Sequence, residues 1–257
     1  MKTALLVASF GTTDMDTLEK TIIPTECAIA EAFPQYPFYR AFVSNIVRRR
    51  LREERGMVID DVEQALARIA ADGYTHVLLQ PTLLIPGEEM DRLMTSVMRG
   101  KGSLQVSVGM PLLCENEDLK EILNVLETMY PVDSDTVLLM MGHGTEHSGN
   151  RIYEQLAEKM RSRNSMAMRL CTVEGSPSFE DAVQELLDMP QRKVVAAPLL
   201  FVAGDHAKND MAGEEEDSLR SLLEAQGFSV SCRLQGLGEF AQVQQIFVDK
   251  ARKACEE

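Results

Sequence analysis

Two imidazoles and one carboxylate stand directly after three apolar runs in the second half of the chain. They are His143 in Met141-Gly142-His143-Gly144, Glu174 after Cys171-Thr172-Val173, and His206 in Val202-Ala203-Gly204-Asp205-His206. Two nitrogen donors and a carboxylate suit a borderline divalent cation. Three protein ligands would leave coordination positions open, as a metal that must be handed on requires. The chain has only four histidines, His76, His143, His147 and His206, and two of them fall at strand-end turns. Each residue alone has an ordinary explanation. A histidine after a strand caps or hydrogen-bonds a loop, and a glutamate before Ser176-Pro177 is favoured by a helix dipole. His147 reads as a surface or supporting residue, His76 as an exposed strand start and Cys171 as core.

An internal repeat separates the two readings. Ala4-Leu5-Leu6-Val7-Ala8-Ser9-Phe10-Gly11-Thr12-Thr13 matches in character Val137-Leu138-Leu139-Met140-Met141-Gly142-His143-Gly144-Thr145-Glu146. Leu83-Leu84-Ile85-Pro86-Gly87-Glu88-Glu89 matches Leu200-Phe201-Val202-Ala203-Gly204-Asp205-His206, and Ala41-Phe42-Val43-Ser44 sits where Cys171-Thr172-Val173-Glu174 sits. At the three equivalent strand ends the first half therefore carries Phe10, Ser44 and Glu89. The second carries His143, Glu174 and His206. The repeat predicts a one-sided metal site.

The elements that must position these groups follow from hydropathy. Apolar runs at Ala4–Ser9, Phe38–Val43, His76–Ile85, Leu104–Gly109, Thr136–Met141, Met168–Val173, Lys193–Val202 and Phe228–Cys232 read as strands. Amphipathic stretches lie between them at Asp61–Ala71, Glu88–Met98, Glu117–Met129, Ile152–Met160, Phe179–Leu187, Asp217–Ala225 and Ala241–Ala254. Alternation of this kind predicts an α/β fold with parallel sheets. The strands are apolar throughout rather than alternating, as sheets buried on both faces require. Pro24 should break the first helical stretch. The Pro/Asp/Ser stretch Pro131–Asp135 marks a linker, giving two similar four-stranded domains, 1–131 and 132–257. Two such halves face each other across a cleft, with ligands at the carboxyl ends of the strands.

Composition is that of a globular protein, 45% hydrophobic and 26% charged, with no apolar run of membrane-span length. The N-terminus lacks the apolar stretch and cleavage site of a signal peptide, so a cytoplasmic location is expected. Five scattered cysteines without a CxxC argue against a disulfide framework or structural zinc. The net charge of −14 argues against nucleic acid. The one dense basic cluster, Arg48-Arg49-Arg50-Leu51-Arg52 followed by Arg55, reads as a solvated helix face, part of which can reach a cleft rim.

Taken together, Met141-Gly142-His143-Gly144, Val173-Glu174 and above all the segment Val202–Ala212 resemble the anaerobic sirohydrochlorin cobaltochelatases of the CbiK type. The opening Ala4–Thr12, Arg40-Ala41-Phe42 with Ser44, and Gly236-Leu237-Gly238-Glu239 share that resemblance, which spans essentially the whole chain. It implies a class II chelatase with two α/β domains related by pseudo-twofold symmetry. It maps the metal ligands onto His143, Glu174 and His206 and the proton acceptor onto His143. It places the tetrapyrrole against Phe10, Gly11, Thr12, Ser44, Gly87 and Glu88. It makes sirohydrochlorin and Co²⁺ the substrates, with no permanently bound cofactor and no membrane partner, and leaves a homo-oligomer open. Exported family members can bind haem between subunits; this chain lacks their signal sequence, so haem is not carried over.

Insertion must remove two weakly acidic pyrrole protons, work suited to histidine. Glu89, or Glu88 beside it, is positioned in the repeat to take the second. Iron or nickel insertion into the same macrocycle, and a non-turnover tetrapyrrole or metal carrier, use the same residue set. A metal-dependent hydrolase would need a nucleophile pattern such as GxSxG, which is not found.

Overall fold

The computed structural model describes residues 2–256. Its first sheet is built from β1 (Thr3–Ser9), β2 (Phe38–Phe42), β3 (His76–Pro81) and β4 (Gln105–Val108), in the order β2-β1-β3-β4. The second is built from β5 (Thr136–Gly142), β6 (Met168–Thr172), β7 (Lys193–Pro198) and β8 (Ser229–Cys232), in the order β6-β5-β7-β8. Every pairing is parallel. The two sheets share one topology, and β1 and β5 are the central strands. Both are buried almost along their whole length, which explains their continuous apolar runs.

The connections are helical. In the first sheet they are α1 (Met15–Thr17), α2 (Ile23–Ala32), α3 (Asn45–Arg55), α4 (Val62–Ala71) and α5 (Glu88–Gly100). In the second half α6 (Asn116–Met129) precedes β5, and α7 (Arg151–Arg161), α8 (Phe179–Leu187) and α9 (Leu219–Ala225) connect the strands, with α10 (Ala241–Glu256) last. Local sequence fixes several helix starts. Asp61 and Gln64 form a capping box for α4, and Ser178 and Asp181 do the same for α8. Pro24 lies at the second position of α2, inside a helical run that is continuous with the turn before it, so its missing N–H removes a bond from that run. The expected break there is a change of helix type, because a π-turn, Leu18–Ile22, joins α1 to α2.

Two strands, β3 and β7, stop well short of their apolar runs, which reach Ile85 and Val202. The ladder ends at Pro81 in β3 and at Pro198 in β7, equivalent positions in the repeat. Leu83 and Leu199 remain buried beyond those ends, so the sequence stays apolar after pairing stops.

The compact units also divide differently from the sequence halves. One comprises Met1–Cys114 with Gly238–Glu257; the other is Glu115–Leu237. The cause is where two amphipathic helices pack. α6 packs on α7 and so joins the second sheet, whereas α10 packs on α2, β3 and β4 of the first. Within the first unit the core gathers Leu6, Leu66, Ile69, Val77 and Leu79; within the second it gathers Leu139, Cys171, Leu186, Ala196 and Leu223. Phe247 of α10 is fully buried. Phe247→Ala should therefore lower unfolding stability by about 3–5 kcal/mol in urea titration. The accompanying loss of hydrogen-exchange protection should fall on α2 and β3, leaving β5–β8 protected.

Candidate metal centre

His143, Glu174 and His206 follow three adjacent strands, β5, β6 and β7, at the carboxyl edge of the second sheet. The chain reverses direction across that sheet beside β5, which is where open α/β sheets bind ligands. The ladder between β5 and β6 continues one step beyond the strands. Val173 N–H donates to Gly142 O at 3.1 Å, and Glu174 N–H donates to His143 O at 2.7 Å. Gly144, with φ +76°, lets the two turns touch. A Cβ on it would lie 1.3 Å from the Glu174 carbonyl oxygen. Asn150 closes the far side, accepting Thr145 N–H at 3.2 Å and donating to Ser176 O at 2.9 Å.

The side chains meet at this edge. The His143 and His206 rings are edge-on, 4.7 Å between centroids with an 85° interplanar angle. Glu174 Oε2 lies 4.0 Å from His143 Nδ1. The side chains of His143, Glu174 and His206 are 45%, 62% and 41% exposed, so all three reach solvent while their backbones are fixed. Among the described residues no three His, Cys, Asp or Glu side chains are already gathered as a metal cage.

Hydrogen bonds settle which ring atoms are available. His143 Nδ1 is 2.9 Å from Gly144 O, an acceptor only, so Nδ1 carries the proton and Nε2 keeps its lone pair. His206 Nδ1 meets Asp210 Oδ2 at 2.5 Å, which frees His206 Nε2 in the same way. His206 caps a π-turn, Ala207–Met211, that contains Asp210.

Sequence reasoning missed Asp210 as a site residue. The signal was there, because His206 and Asp210 are four apart, the spacing of neighbours on a helical face. It also missed Tyr153. This buried α7 residue packs its ring where a Cβ on Gly142 would be 2.5 Å away. Burial pushes its phenol up to about 12, while the backbone N–H groups of Gly144 and His143, which its oxygen accepts, pull the other way. Tyr153 thus supports the His143 turn from beneath as a neutral hydroxyl. His147 caps the 3₁₀ turn Ser148–Asn150, its Nδ1 accepting Gly149 N–H at 3.0 Å. Cys171 is buried, as the sequence suggested.

The first unit repeats the same turns with different chemistry. Ser44 N–H donates to Phe10 O at 3.2 Å, just as Glu174 donates to His143. Gly11, φ +99°, matches Gly144; its missing Cβ leaves room for the Phe42 ring. Thr12 accepts Asp14 N–H, and the equivalent Thr145 accepts His147 N–H, both at 3.1 Å. Ser44 Oγ caps α3 by accepting Val47 N–H. Asp91 N–H bonds Gly87 O as Lys208 N–H bonds Gly204 O, which aligns Glu89 with His206. Phe10 is 42% exposed, a large apolar ring at the position His143 holds in the other unit. Glu88 and Glu89 share the Arg92 guanidinium, at 3.0 and 2.8 Å. Of the basic cluster, Arg48 is held by Asp61 at 3.2 Å, whereas Arg49, Arg50, Arg52 and Arg55 are exposed. No helix among the described residues is long and apolar enough to cross a membrane.

A family model described as cobalt chelatase (CbiK) matches residues 3–256. The chain belongs to this family of cobalt chelatases. The chelatase is 35% identical over 256 residues to a protein of Salmonella typhimurium named sirohydrochlorin cobaltochelatase, covering 99% of this chain and 97% of that one. It is 34% identical over 253 residues to the sirohydrochlorin cobaltochelatase CbiKC of Nitratidesulfovibrio vulgaris, covering 96% and 89%. Among solved structures, its fold matches SirB from Bacillus subtilis with Fe³⁺ at a TM-score of 0.67 and 17% identity, covering 99% of this chain and 96% of that one. It also matches CbiX, described as the terminal enzyme for siroheme biosynthesis in denitrifying bacteria, at 0.53 and 19% identity with 98% of each chain covered.

The turn geometry makes a direct prediction for the chelatase. Gly144→Ala must abandon a left-handed backbone, at about 1–2 kcal/mol, and must also push the Glu174 carbonyl away. Melting temperature and Co²⁺ insertion rate should both fall. Gly204→Ala, where a Cβ meets nothing within 4 Å, should leave the melting temperature unchanged.

Proposed function

We propose that this chelatase inserts Co²⁺ into sirohydrochlorin, with release of two protons, as a step of anaerobic cobalamin synthesis. One observation carries the reading: His143, Glu174 and His206 stand together at one sheet edge, with the Nε2 atoms of both rings available. The names borne by relatives that match it over nearly their full length support the macrocycle and the metal.

In this reading Co²⁺ is a substrate. His206 Nε2, His143 Nε2 and the Glu174 carboxylate receive it, leaving open positions for the macrocycle nitrogens. Two pyrrole N–H bonds break as the metal–nitrogen bonds form. The cation's charge favours that loss by stabilising the developing negative nitrogens. His143 Nε2 takes one proton as its metal bond gives way, since one lone pair cannot serve both at once. Glu89 is the acceptor assigned to the second. Its contact with Arg92 is no obstacle, because an ion pair this exposed is worth only about 0–1 kcal/mol. Phe10, exposed and apolar, offers a flat surface for the ring, and Gly11, Thr12, Ser44, Gly87 and Glu88 are the further residues assigned to it.

The test is an insertion assay with purified protein and sirohydrochlorin, followed by absorbance with cobalt, iron or nickel. Cobalt insertion should outrun the uncatalysed mixture. His143→Ala should lose at least about 10²-fold in kcat, the usual worth of a positioned base. Iron or nickel inserted faster than cobalt would reassign the metal, and no acceleration with any of them would leave a carrier. Glu89→Gln should slow insertion; unchanged kinetics would remove Glu89 from the mechanism.

A further inference from the structure

The two candidate imidazole ligands present the same atom and differ behind it. Each donates its Nδ1 proton and keeps Nε2 free. His143 donates to a neutral partner, the Gly144 carbonyl at 2.9 Å, and the Glu174 carboxylate lies beyond hydrogen-bond reach of the same nitrogen at 4.0 Å. His206 donates to a carboxylate, Asp210 Oδ2 at 2.5 Å. The second arrangement is built into one helical turn. His206 caps the π-turn that carries Asp210, and Ala207 and Met211 of that turn are fully buried in the core of their unit. The turn is therefore anchored while the pair it carries stays accessible, at 41% and 39% side-chain exposure.

We infer that Asp210 is a positioning residue for metal capture, holding His206 with Nε2 outward and making it the tighter of the two imidazole ligands. The inference rests on the reading of His206 as a metal ligand. A carboxylate behind an imidazole fixes tautomer and ring orientation and makes the distal nitrogen a better electron donor, and loss of such a partner costs about 10–100-fold in metal affinity. A carbonyl fixes the tautomer with less electron donation. The rings are edge-on at 4.7 Å, so the direction in which His206 points also sets where an ion can sit against His143. The division of labour follows. His206 with Asp210 holds the ion, and His143, with its neutral partner, is the ring that lets go to take a pyrrole proton.

The experiment measures Co²⁺ binding to the full chain without tetrapyrrole, by equilibrium titration and by the visible d–d spectrum of the bound ion. Asp210→Ala should weaken binding about 10–100-fold and shift the d–d bands, with the melting temperature of the metal-free protein unchanged. Asp210→Asn, whose amide oxygen still accepts from Nδ1 but carries no charge, should fall between Asp210→Ala and the parent. His206→Ala should weaken Co²⁺ binding more than His143→Ala. Parental affinity and spectrum in Asp210→Ala or Asp210→Asn, alongside loss of binding in His206→Ala, would overturn the role of Asp210 and leave the ligand set standing. Parental affinity in His206→Ala would overturn the ligand set, and the inference with it.

Discussion

The Glu174 N–H bond to the His143 carbonyl is the joint on which the candidate metal centre hangs. It is the last rung of the β5–β6 ladder, made after both strands have formally ended. A rung there needs the two turns in backbone contact, and only a residue without a Cβ permits it. Gly144 meets that demand with a positive φ and an approach that no side chain would survive. Tyr153 beneath the turn and Asn150 beyond it take up polar groups the rung leaves over. The candidate ligand side chains are thus exposed at their tips and held at their roots. That suits a site that must hold an ion and then surrender it.

The repeat shows how little backbone had to change for the units to diverge. Phe10 and Ser44 make the rung that His143 and Glu174 make, with a glycine in the same left-handed state after it. One unit presents nitrogen and carboxylate, the other an apolar ring and a hydroxyl engaged in capping a helix. Charge follows a similar division. On a chain of net charge −14, α3 still offers four exposed guanidinium groups after Arg48 has been taken by Asp61. These are the groups suited to a polycarboxylated macrocycle.

Much of this was legible in the sequence because parallel strands buried on both faces announce themselves as unbroken apolar runs. The pairing of Phe10 with His143, and of Ser44 with Glu174, could be read by eye and reappears rung for rung in the backbone. Strand ends at Pro81 and Pro198 were over-extended because Leu83 and Leu199 stay buried after the ladder stops, and hydropathy registers burial rather than pairing. The location of α10 was not legible. An amphipathic helix declares that it has a buried face, and nothing in its pattern says which sheet covers it. Asp210 stayed hidden for a related reason: its spacing from His206 gains meaning only once the segment is known to be helical.

That a helix made after the second unit completes the first imposes an order on the chain's assembly. The middle unit, Glu115–Leu237, lies within a single stretch of sequence and can close as it leaves the ribosome. The first unit cannot, because the helix that covers α2 and β3 is made only after the whole of the middle unit. Until then α2, β3 and β4 wait without their partner helix. The unit begun first is finished after the one begun second, so a polypeptide stalled before Ala241 would present a closed unit carrying the candidate metal site attached to an open one, a ready substrate for chaperones and proteases.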